Sequence, residues 1–262
     1  MSVYAIGIDI GSTCAKTVVL DGEKHTVLSF VQPTGWSSVD TAEAIRLRLC
    51  SEGFDPQALP CVATGYGRVS VPYAGKAVTE ITCHGRGAMA LFGNRDLTVI
   101  DIGGQDTKVI QVEHGQVRDF VMNDKCSAGT GRFLEVMANT LAITPGELCV
   151  LARQGGGVAI SSMCTVFAES EVISLIGRGE RRENIAYAVV DSIVKKVASQ
   201  ARRLERGGGA VCLTGGLCEC PYLLEALEAE LRTEVATRPE GRYAGAIGAA
   251  LSALAWKGEV RL

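Results

Sequence analysis

The sequence lacks two motifs that commonly bind metals or phosphate. Ten cysteines are present, but no two of them form a Cys-x-x-Cys pair, which excludes an ordinary zinc finger. No GxxxxGK[ST] segment occurs, so the chain has no P-loop. Aromatic residues make up only 5% of the 262 residues, whereas 31 residues are glycine. We therefore expect a fold rich in small-residue turns, in which any phosphate site uses glycine turns of another kind.

Features of exported and membrane-spanning proteins are also missing. No apolar run approaches the roughly 20 residues that span a bilayer. The N-terminal segment MSVYAIGIDIGST has neither a basic region nor a cleavage-like site, unlike a signal peptide. A net charge of −3 gives no reason to expect nucleic acid or an anionic membrane as a partner. We expect a cytoplasmic protein whose cysteines do not form a disulfide framework.

One segment of the sequence is repeated about one domain length later. Residues 6–22 read IGIDIGSTCAKTVVLDG, and residues 98–115 read TVIDIGGQDTKVIQVEHG. Each copy has an apolar strand that ends at an aspartate, a glycine turn, a second strand with a lysine near its start, and a third short strand. The repeat predicts an α/β fold with two similar domains. Three pairs of residues align, namely Asp9 with Asp101, Gly11 with Gly103 and Lys16 with Lys108.

The remaining segments show strand and helix patterns. The clearest helical stripe consists of apolar residues at 185, 189, 193, 197, 201 and 204. Helices are predicted at 40–52, 79–92, 131–142, 144–153, 165–177, 183–205, 219–231 and 243–256, and further strands at 60–65, 211–215 and 233–236. We predict a first domain from 1–95 plus 241–262 and a second domain from 96–240.

Three glycine turns are candidates for phosphate binding. They read DIGST at 9–13, DIGGQD at 101–106 and TGGLCE at 214–219. Glycine permits the backbone conformations that point several N–H groups at one anion. Each turn alone is more typical of an ordinary strand end. Their joint occurrence, partly in repeated copies, favours a nucleotide.

Polar side chains in the first two turns add groups that a magnesium–nucleotide complex needs. Ser12 and Thr13 supply hydroxyl donors, and Lys16 can contact a phosphate as a point charge. Asp9 and Asp101 repel phosphate unless a divalent cation lies between carboxylate and phosphate, which is how Mg²⁺ is held in many nucleotide sites. We predict that these two carboxylates organise Mg²⁺ and water.

Two cysteines, Cys126 and Cys164, stand just ahead of predicted helices. Helix N-termini favour the thiolate, which is the form of cysteine that binds iron. A [4Fe–4S] cluster normally takes four thiolates, and this chain offers two in such a setting. A two-fold homodimer supplies the other two. From the residues alone, buried structural thiols remain an open alternative.

The other cysteines and the histidines have simpler interpretations. Cys218 and Cys220 have a C-x-C spacing that can bind metal, but they lie on the third glycine turn. His84 is predicted to pack or cap, and no histidine is assigned a chemical role. Packing roles are predicted for Cys50, Cys61, Cys83, Cys149 and Cys212.

The longest motifs resemble a known family. DIGST, DIGGQD and LTGG resemble the phosphate and adenosine motifs of the acetate and sugar kinase/Hsp70/actin superfamily. Within it, TGYGR, TEITCHGRGA, MNDKCSAGTGRFLE, SSMCTVFAESEVISL and AGAIGAA resemble the ATP-dependent activators of 2-hydroxyacyl-CoA dehydratases and the ATPase subunits of benzoyl-CoA reductases. The resemblance covers essentially the whole chain. It implies two ribonuclease-H-like domains of the actin/Hsp70 type with ATP between them, and one [4Fe–4S] cluster bridged between two subunits by Cys126 and Cys164.

The resemblance also implies a function. A reductive activator passes a low-potential electron from ferredoxin or flavodoxin, through the cluster, to a 2-hydroxyacyl-CoA dehydratase-type partner or to a double-cubane iron–sulfur protein, while ATP is hydrolysed to ADP. Gln105 is the candidate for orienting the attacking water, as glutamines do in other NTPases, and Glu169 is the alternative. A small-molecule kinase and a non-catalytic nucleotide-binding scaffold are the competing hypotheses.

The nucleotide contacts implied by the motifs fall in the three glycine turns and near the C-terminus. At residue 242 the family often has a glutamine, where this chain has arginine. The predicted contacts are Gly11, Ser12, Thr13, Cys14, Ala15, Lys16, Gly103, Gly104, Gln105, Gly215, Gly216 and Arg242.

Overall fold

The computed structural model describes residues 3–161, 164–204 and 209–256. The chain forms two compact units. One comprises Met1–Asp96, Val112–Arg118 and Glu240–Leu262, and the other comprises Leu97–Gln111 and Asp119–Pro239.

Apart from a two-residue strand at Lys76–Ala77, which the sequence pattern did not predict, the strands and helices follow the predicted order. The strands within the described residues are β1 (Tyr4–Ile10), β2 (Cys14–Asp21), β3 (Thr26–Pro33), β4 (Cys61–Thr64), β5 (Lys76–Ala77), β6 (Leu97–Ile102), β7 (Thr107–Glu113), β8 (Gln116–Asn123), β9 (Ala210–Gly215) and β10 (Val235–Thr237). The helices are α1 (Ser38–Ser51), α2 (Glu80–Phe92), α3 (Gly131–Thr140), α4 (Pro145–Ala152), α5 (Thr165–Gly177), α6 (Arg182–Ala201), α7 (Pro221–Leu231) and α8 (Ala244–Ala255).

Both five-stranded sheets have the same strand order. The first sheet has the order β3-β2-β1-β4-β5, and the second, read in the matching direction, has the order β8-β7-β6-β9-β10. Strand β6 therefore corresponds to β1, and β9 corresponds to β4. β1 pairs antiparallel with β2 and parallel with β4, and β6 pairs parallel with β9. The α/β fold with two similar halves, predicted from the repeat, is confirmed.

The parallel pairing places a threonine beside each repeated aspartate. Asp9 on β1 lies opposite Thr64 on β4, and Asp101 on β6 lies opposite Thr214 on β9. A glycine follows both threonines in the sequence. The internal repeat therefore extends to the Thr-Gly pair after the fourth strand of each sheet, which the sequence comparison did not include.

The long helix α6 buries the predicted apolar stripe. Ile185, Val189, Ile193 and Val197 are fully or almost fully buried in the core of the second unit, as the 3.6-residue period requires. The helix ends at Ala201. The predicted end, residue 205, lies outside the described residues.

In the first unit, small residues let helix α8 lie directly on β1 and α2. A Cβ added to Gly7 on β1 overlaps the backbone of Ala246 and Ala250, and a Cβ added to Gly248 overlaps the backbone of Cys83 on α2. The AGAIGAA segment therefore requires small residues, because the backbones of β1, α2 and α8 approach one another here.

Gly248→Ala is expected to destabilise the protein by about 1–3 kcal/mol, because the added methyl group cannot fit without moving α8 or α2. Urea denaturation measures the free energy of unfolding. Gly177→Ala, at the open end of α5, is the matched control and changes it by about 0.5 kcal/mol or less. Equal stability of both variants contradicts this account of the packing.

Among the described residues, no single helix combines the length and apolar character needed to cross a membrane. Only α3 and α4 taken together meet that criterion by length and composition, and they are bent by 85° relative to each other.

Candidate functional site

The first glycine turn follows β1 and is closed by backbone hydrogen bonds. The Gly11 N–H donates to the Cys14 carbonyl (3.1 Å), and the Thr34 hydroxyl donates to the Gly11 carbonyl (2.7 Å). Ser12 and Thr13 are exposed at the tip. The turn therefore presents two hydroxyl groups to solvent, where they can donate to a phosphate.

Two further predicted contacts belong to the strand that follows this turn. The Lys16 ammonium lies close to Gly11, where it can contact a phosphate at the turn. Cys14 is partly buried at the start of β2, and Ala15 is buried, so Ala15 offers only its backbone.

Asp9, at the end of β1, has a buried carboxylate oxygen that lacks a partner. The residue is 3% exposed, and its Oδ1 has no hydrogen-bond partner among the described residues. The other oxygen, Oδ2, lies 3.9 Å from Nε2 of His84 on α2. An uncompensated buried carboxylate is costly, and a divalent cation removes that cost. The Asp9 carboxylate therefore fits the predicted Mg²⁺.

Asp101, the repeat partner of Asp9, has partners for both of its oxygens. The Thr214 hydroxyl donates to Oδ1 (2.7 Å), and the Lys108 ammonium lies 3.5 Å from Oδ2. Lys108 is itself buried and also pairs with Asp106 at 2.8 Å. The repeated motif thus contains two chemically different aspartates, and a direct cation-binding role is better supported for Asp9 than for Asp101.

Thr214→Val is expected to destabilise the protein by about 1.5–3 kcal/mol, because a buried carboxylate loses a hydrogen bond. Thr64→Val is the matched control. The Thr64 hydroxyl donates to the neutral carbonyl of Val78, so we expect a loss of about 1 kcal/mol. Thermal unfolding measures the loss of stability in both variants. An equal or larger loss of stability in Thr64→Val contradicts the view that the Thr214 hydroxyl stabilises the buried Asp101 carboxylate.

The second glycine turn, 103–106, is fixed to the start of α3. The Gly131 N–H donates to the Gly103 carbonyl (2.9 Å), and the Arg132 N–H donates to the Gly104 carbonyl (2.7 Å). Gln105 is exposed at the tip of this turn, where its amide is available to a water molecule. Its predicted catalytic role stays a prediction.

Glu169, the alternative to Gln105, has a structural partner. It accepts a hydrogen bond of 3.2 Å from the Thr140 hydroxyl, which joins α5 to the end of α3. This contact favours a structural role for Glu169.

The third glycine turn opens into a cavity of about 620 Å³ in the second unit. Gly215 has φ +90°, and a Cβ there overlaps the Ile102 carbonyl, so only glycine keeps this turn against the end of β6. The cavity has the size of a small-molecule site and is lined by Gly216, by α4 and by the start of α7. Arg242 belongs to the first unit, and its predicted contact stays a prediction.

The structure brings the segments of Cys126 and Cys164 together. The hydroxyls of Ser127 and Thr165, the residues that follow the two cysteines, share a hydrogen bond of 2.7 Å. Cys126 is partly buried, and its carbonyl accepts a hydrogen bond from the Asn123 amide. Cys164 is exposed. The described residues contain no group of three or more metal-binding side chains, so the two thiols can form only part of a ligand set.

The helix-terminus prediction holds for only one of the two cysteines. Cys164 is the N-cap residue of α5. Cys126 lies four residues ahead of Thr130, the N-cap residue of α3, because the SAGT segment forms a separate turn. Residues 162–163, which precede Cys164, lie outside the described residues.

Helix α5 continues from Cys164 with an exposed apolar surface. Val166 and Phe167, in its first turn, are 67% and 66% exposed, and Ile173 and Ile176 are also exposed. Large apolar side chains clustered on one helix are typical of a surface that contacts another protein.

Comparison with known proteins assigns the chain to a family. Residues 6–253 match the BadF/BadG/BcrA/BcrD ATPase family. The chain belongs to the BadF/BadG/BcrA/BcrD ATPase family. The (R)-2-hydroxyglutaryl-CoA dehydratase activating ATPase of Acidaminococcus fermentans is 43% identical over 97% of this chain and 98% of the relative. The activator of lactoyl-CoA dehydratase of Anaerotignum propionicum is 41% identical over 96% of this chain and 97% of the relative.

A solved structure supports the fold of this BadF/BadG/BcrA/BcrD ATPase. The activator of the 2-hydroxyisocaproyl-CoA dehydratase from Clostridium difficile with bound ADPNP has a TM-score of 0.89 at 36% identity, over 97% of this chain and 95% of that one. The predicted family and fold class are confirmed. Membership of an ATPase family also supports the ATP binding and hydrolysis that the glycine turns predict.

Most of the other cysteines of this BadF/BadG/BcrA/BcrD ATPase pack as predicted. Burial raises the pKa of the Cys61 thiol to about 12, that of Cys83 to about 11 and that of Cys212 to about 12, as expected for inert packing residues. The packing prediction is wrong for Cys50, which is exposed on α1. All ten cysteines are free thiols.

The structure places His84 at the candidate site of this BadF/BadG/BcrA/BcrD ATPase, although the sequence assigned it no chemical role. His84 is buried on α2 beside Asp9, and Gly245 at the start of α8 leaves the space that both side chains occupy. The only sequence feature that pointed to His84 was its position in TEITCHGRGA, on the helix that follows the Thr64-Gly65 pair. That spacing does not reveal which side of α2 faces the end of β1.

Proposed function

We propose that this chain is an ATP-hydrolysing reductive activator and that its homodimer holds one [4Fe–4S] cluster through Cys126 and Cys164 of each subunit. The observation that carries the proposal is the Ser127–Thr165 hydrogen bond, which holds two cysteine segments together where the described residues offer no third metal ligand. A second copy of the same pair completes four thiolates. The cluster supplies one-electron transfer.

The exposed surface of α5 supports the homodimer. Phe167 and Val166 lie within three residues of Cys164, so an interface that meets at the cysteines also covers these apolar side chains. Burying exposed apolar area contributes favourably to association, at roughly 25 cal/mol per Å² before the costs of binding.

ATP is proposed to use the glycine turns and the cavity of the second unit. The turn residues Gly11, Ser12, Thr13 and Lys16 contact phosphate in this proposal, as do Gly103 and Gly104. Asp9 holds Mg²⁺, and Gln105 orients the attacking water. The nucleoside occupies the cavity beside Gly216, whose walls are mostly apolar side chains and backbone.

Hydrogen bonds within the second unit support a link between ATP hydrolysis and the cysteines. The carbonyls of Gly103 and Gly104 are bonded to the first two N–H groups of α3, and the Thr107 hydroxyl donates to the Gly129 carbonyl (2.6 Å). Cys126 lies three residues before Gly129. Loss of the γ-phosphate from the turn therefore displaces the segment that carries Cys126, as phosphate-dependent loops do in other switches.

The partner is proposed from the relatives. Two of the relatives are activators of 2-hydroxyglutaryl-CoA and lactoyl-CoA dehydratases, so a 2-hydroxyacyl-CoA dehydratase-type protein is the proposed electron acceptor. A double-cubane iron–sulfur protein is the alternative acceptor, and ferredoxin or flavodoxin is the proposed donor.

Anaerobic purification and a coupled assay test the proposal. We expect a brown dimer with about four irons per dimer, and ATP-dependent electron transfer from reduced ferredoxin or flavodoxin to the acceptor. Omitting ATP, or replacing it with a non-hydrolysable analogue, is the control and stops the transfer. A colourless, iron-free protein that phosphorylates a small molecule supports the kinase hypothesis instead.

A further inference from the structure

The cavity beside Gly216 contains a pair of thiols that the proposed mechanism does not use. Cys149 lies on α4, and Cys220 is the N-cap residue of α7. Both side chains line the cavity, both residues are buried, and the two thiols lie near enough to influence each other's ionisation. Such contact between cysteines from two packed helices is the starting geometry for a disulfide bond.

The surroundings give the two sulfurs different roles. The neighbouring Cys149 thiol lowers the pKa of the Cys220 thiol against the effect of burial, and the backbone N–H groups of Leu223 and Tyr222 at the start of α7 lower it further. The pKa of Cys149 is raised, first by the same pairing and then by burial. Of the two sulfurs, Cys220 therefore ionises more readily and is the attacking sulfur, and Cys149 is the thiol beside it.

A bond between these sulfurs changes the walls of the cavity. An S–S bond of about 2 Å is much shorter than any non-bonded approach of two sulfur atoms, so its formation draws α4 towards the start of α7. Pro145, Gly146 and Val150 of α4 line the same cavity as Gly216. Moving α4 towards α7 narrows the space beside this glycine.

We propose that Cys149 and Cys220 form a reversible disulfide with low-molecular-weight disulfides as oxidant, and that this bond closes the cavity to the nucleoside of ATP. The inference rests on the proposed function in one respect, which is that the nucleoside occupies this cavity. It assigns a redox-modification site to two residues and makes nucleotide binding depend on the thiol–disulfide balance around the protein.

The exchange reaction balances in two steps. The Cys220 thiolate attacks one sulfur of the small disulfide, which forms a mixed disulfide and releases one thiolate. Cys149 then loses its proton and attacks the Cys220 sulfur, and the second thiolate leaves. Two protein thiols are oxidised, one small disulfide is reduced to two thiols, and the protons of the cysteines pass to the released thiolates.

Thermodynamic linkage adds a reciprocal effect. If the disulfide weakens nucleotide binding, bound nucleotide must disfavour the disulfide by the same factor. Saturating ADP is therefore expected to slow oxidation of the pair.

The test uses the full-length protein under anaerobic conditions, with glutathione disulfide as oxidant and dithiothreitol as reductant. Peptide mass spectrometry after alkylation locates the disulfide, and titration with a fluorescent ADP analogue measures the dissociation constant before and after oxidation. We expect a Cys149–Cys220 disulfide, nucleotide affinity lowered by about tenfold or more, and full recovery with dithiothreitol. Iron content is followed in parallel to detect any damage to the proposed cluster.

Three variants separate this pair from other thiols. In Cys149→Ser and in Cys149→Ala, the dissociation constant for the nucleotide analogue is the same before and after treatment with glutathione disulfide. Cys50→Ser changes an exposed cysteine on α1 and keeps the wild-type response. If the Cys149 variants stay sensitive to the oxidant, the effect arises elsewhere and the proposal is wrong.

The remaining outcomes distinguish the inference from the proposed function. Reduced wild-type protein that binds the analogue, but forms no Cys149–Cys220 disulfide or forms it without losing affinity, overturns the inference and leaves the proposed function standing. Reduced protein that binds no nucleotide contradicts the proposed function before oxidant is added, and the inference is lost with it.

Discussion

The Cys126→Ser variant is expected to purify without iron and without the broad absorbance near about 400 nm that iron–sulfur charge transfer gives. Serine oxygen is a poor substitute for a thiolate ligand, and each dimer loses two of its four sulfurs. Because Cys126 lies in a turn ahead of α3, and not on a glycine turn, nucleotide binding is expected to persist. Iron analysis and titration with a fluorescent ADP analogue check both parts.

Cys164→Ser is expected to give the same result, because Cys164 is the other half of the pair. Cys50→Ser is the matched control, since Cys50 is also exposed but lies on α1 in the first unit. Retention of the full iron content by either cysteine-pair variant contradicts the ligand assignment.

The Asp9→Asn variant is expected to hydrolyse ATP about 100-fold more slowly or worse, because the cation loses a buried carboxylate oxygen that has no hydrogen-bond partner among the described residues. The increase in melting temperature that Mg²⁺ with ATP gives the wild type should also disappear. Without Mg²⁺, the variant should be at least as stable as the wild type, since an amide replaces an uncompensated buried charge. Steady-state kinetics and thermal unfolding with and without Mg²⁺ measure the three effects.

Asp119→Asn, at an exposed position on β8, is the control for a simple change of charge. A normal rate in Asp9→Asn, or an undiminished response of its melting temperature to Mg²⁺, assigns the cation to another group.

The repeat and the periodicity account for the success of the fold prediction. The two three-strand segments and the stripe on α6 are local patterns, and each has one way to bury its apolar side chains. The apolar face of α1 explains the error at Cys50. Ile45 and Leu49 are buried one helical turn apart on α1, and the next residue is rotated by about 100° away from them, towards solvent.

The site was harder to predict because its distinguishing contacts join distant parts of the chain. Asp9 and Asp101 have the same neighbours in sequence, and they differ because Thr214 bonds to its aspartate while Thr64 bonds to Val78. Only the fold defines the Cys149–Cys220 contact, since it depends on how α4 packs against α7. Sequence patterns locate such residues on strands and helices, but they do not choose the partner of a hydroxyl or a thiol.

Lys108 gives the second sheet a counter-charge that is part of the polypeptide. A bound metal ion exchanges with solvent and can be taken away by a chelator, whereas an ammonium group on a buried side chain stays with Asp101 whatever the solution contains. The charge of Asp101 is therefore balanced at any cation concentration, whereas the proposed site at Asp9 depends on the Mg²⁺ that the solution supplies.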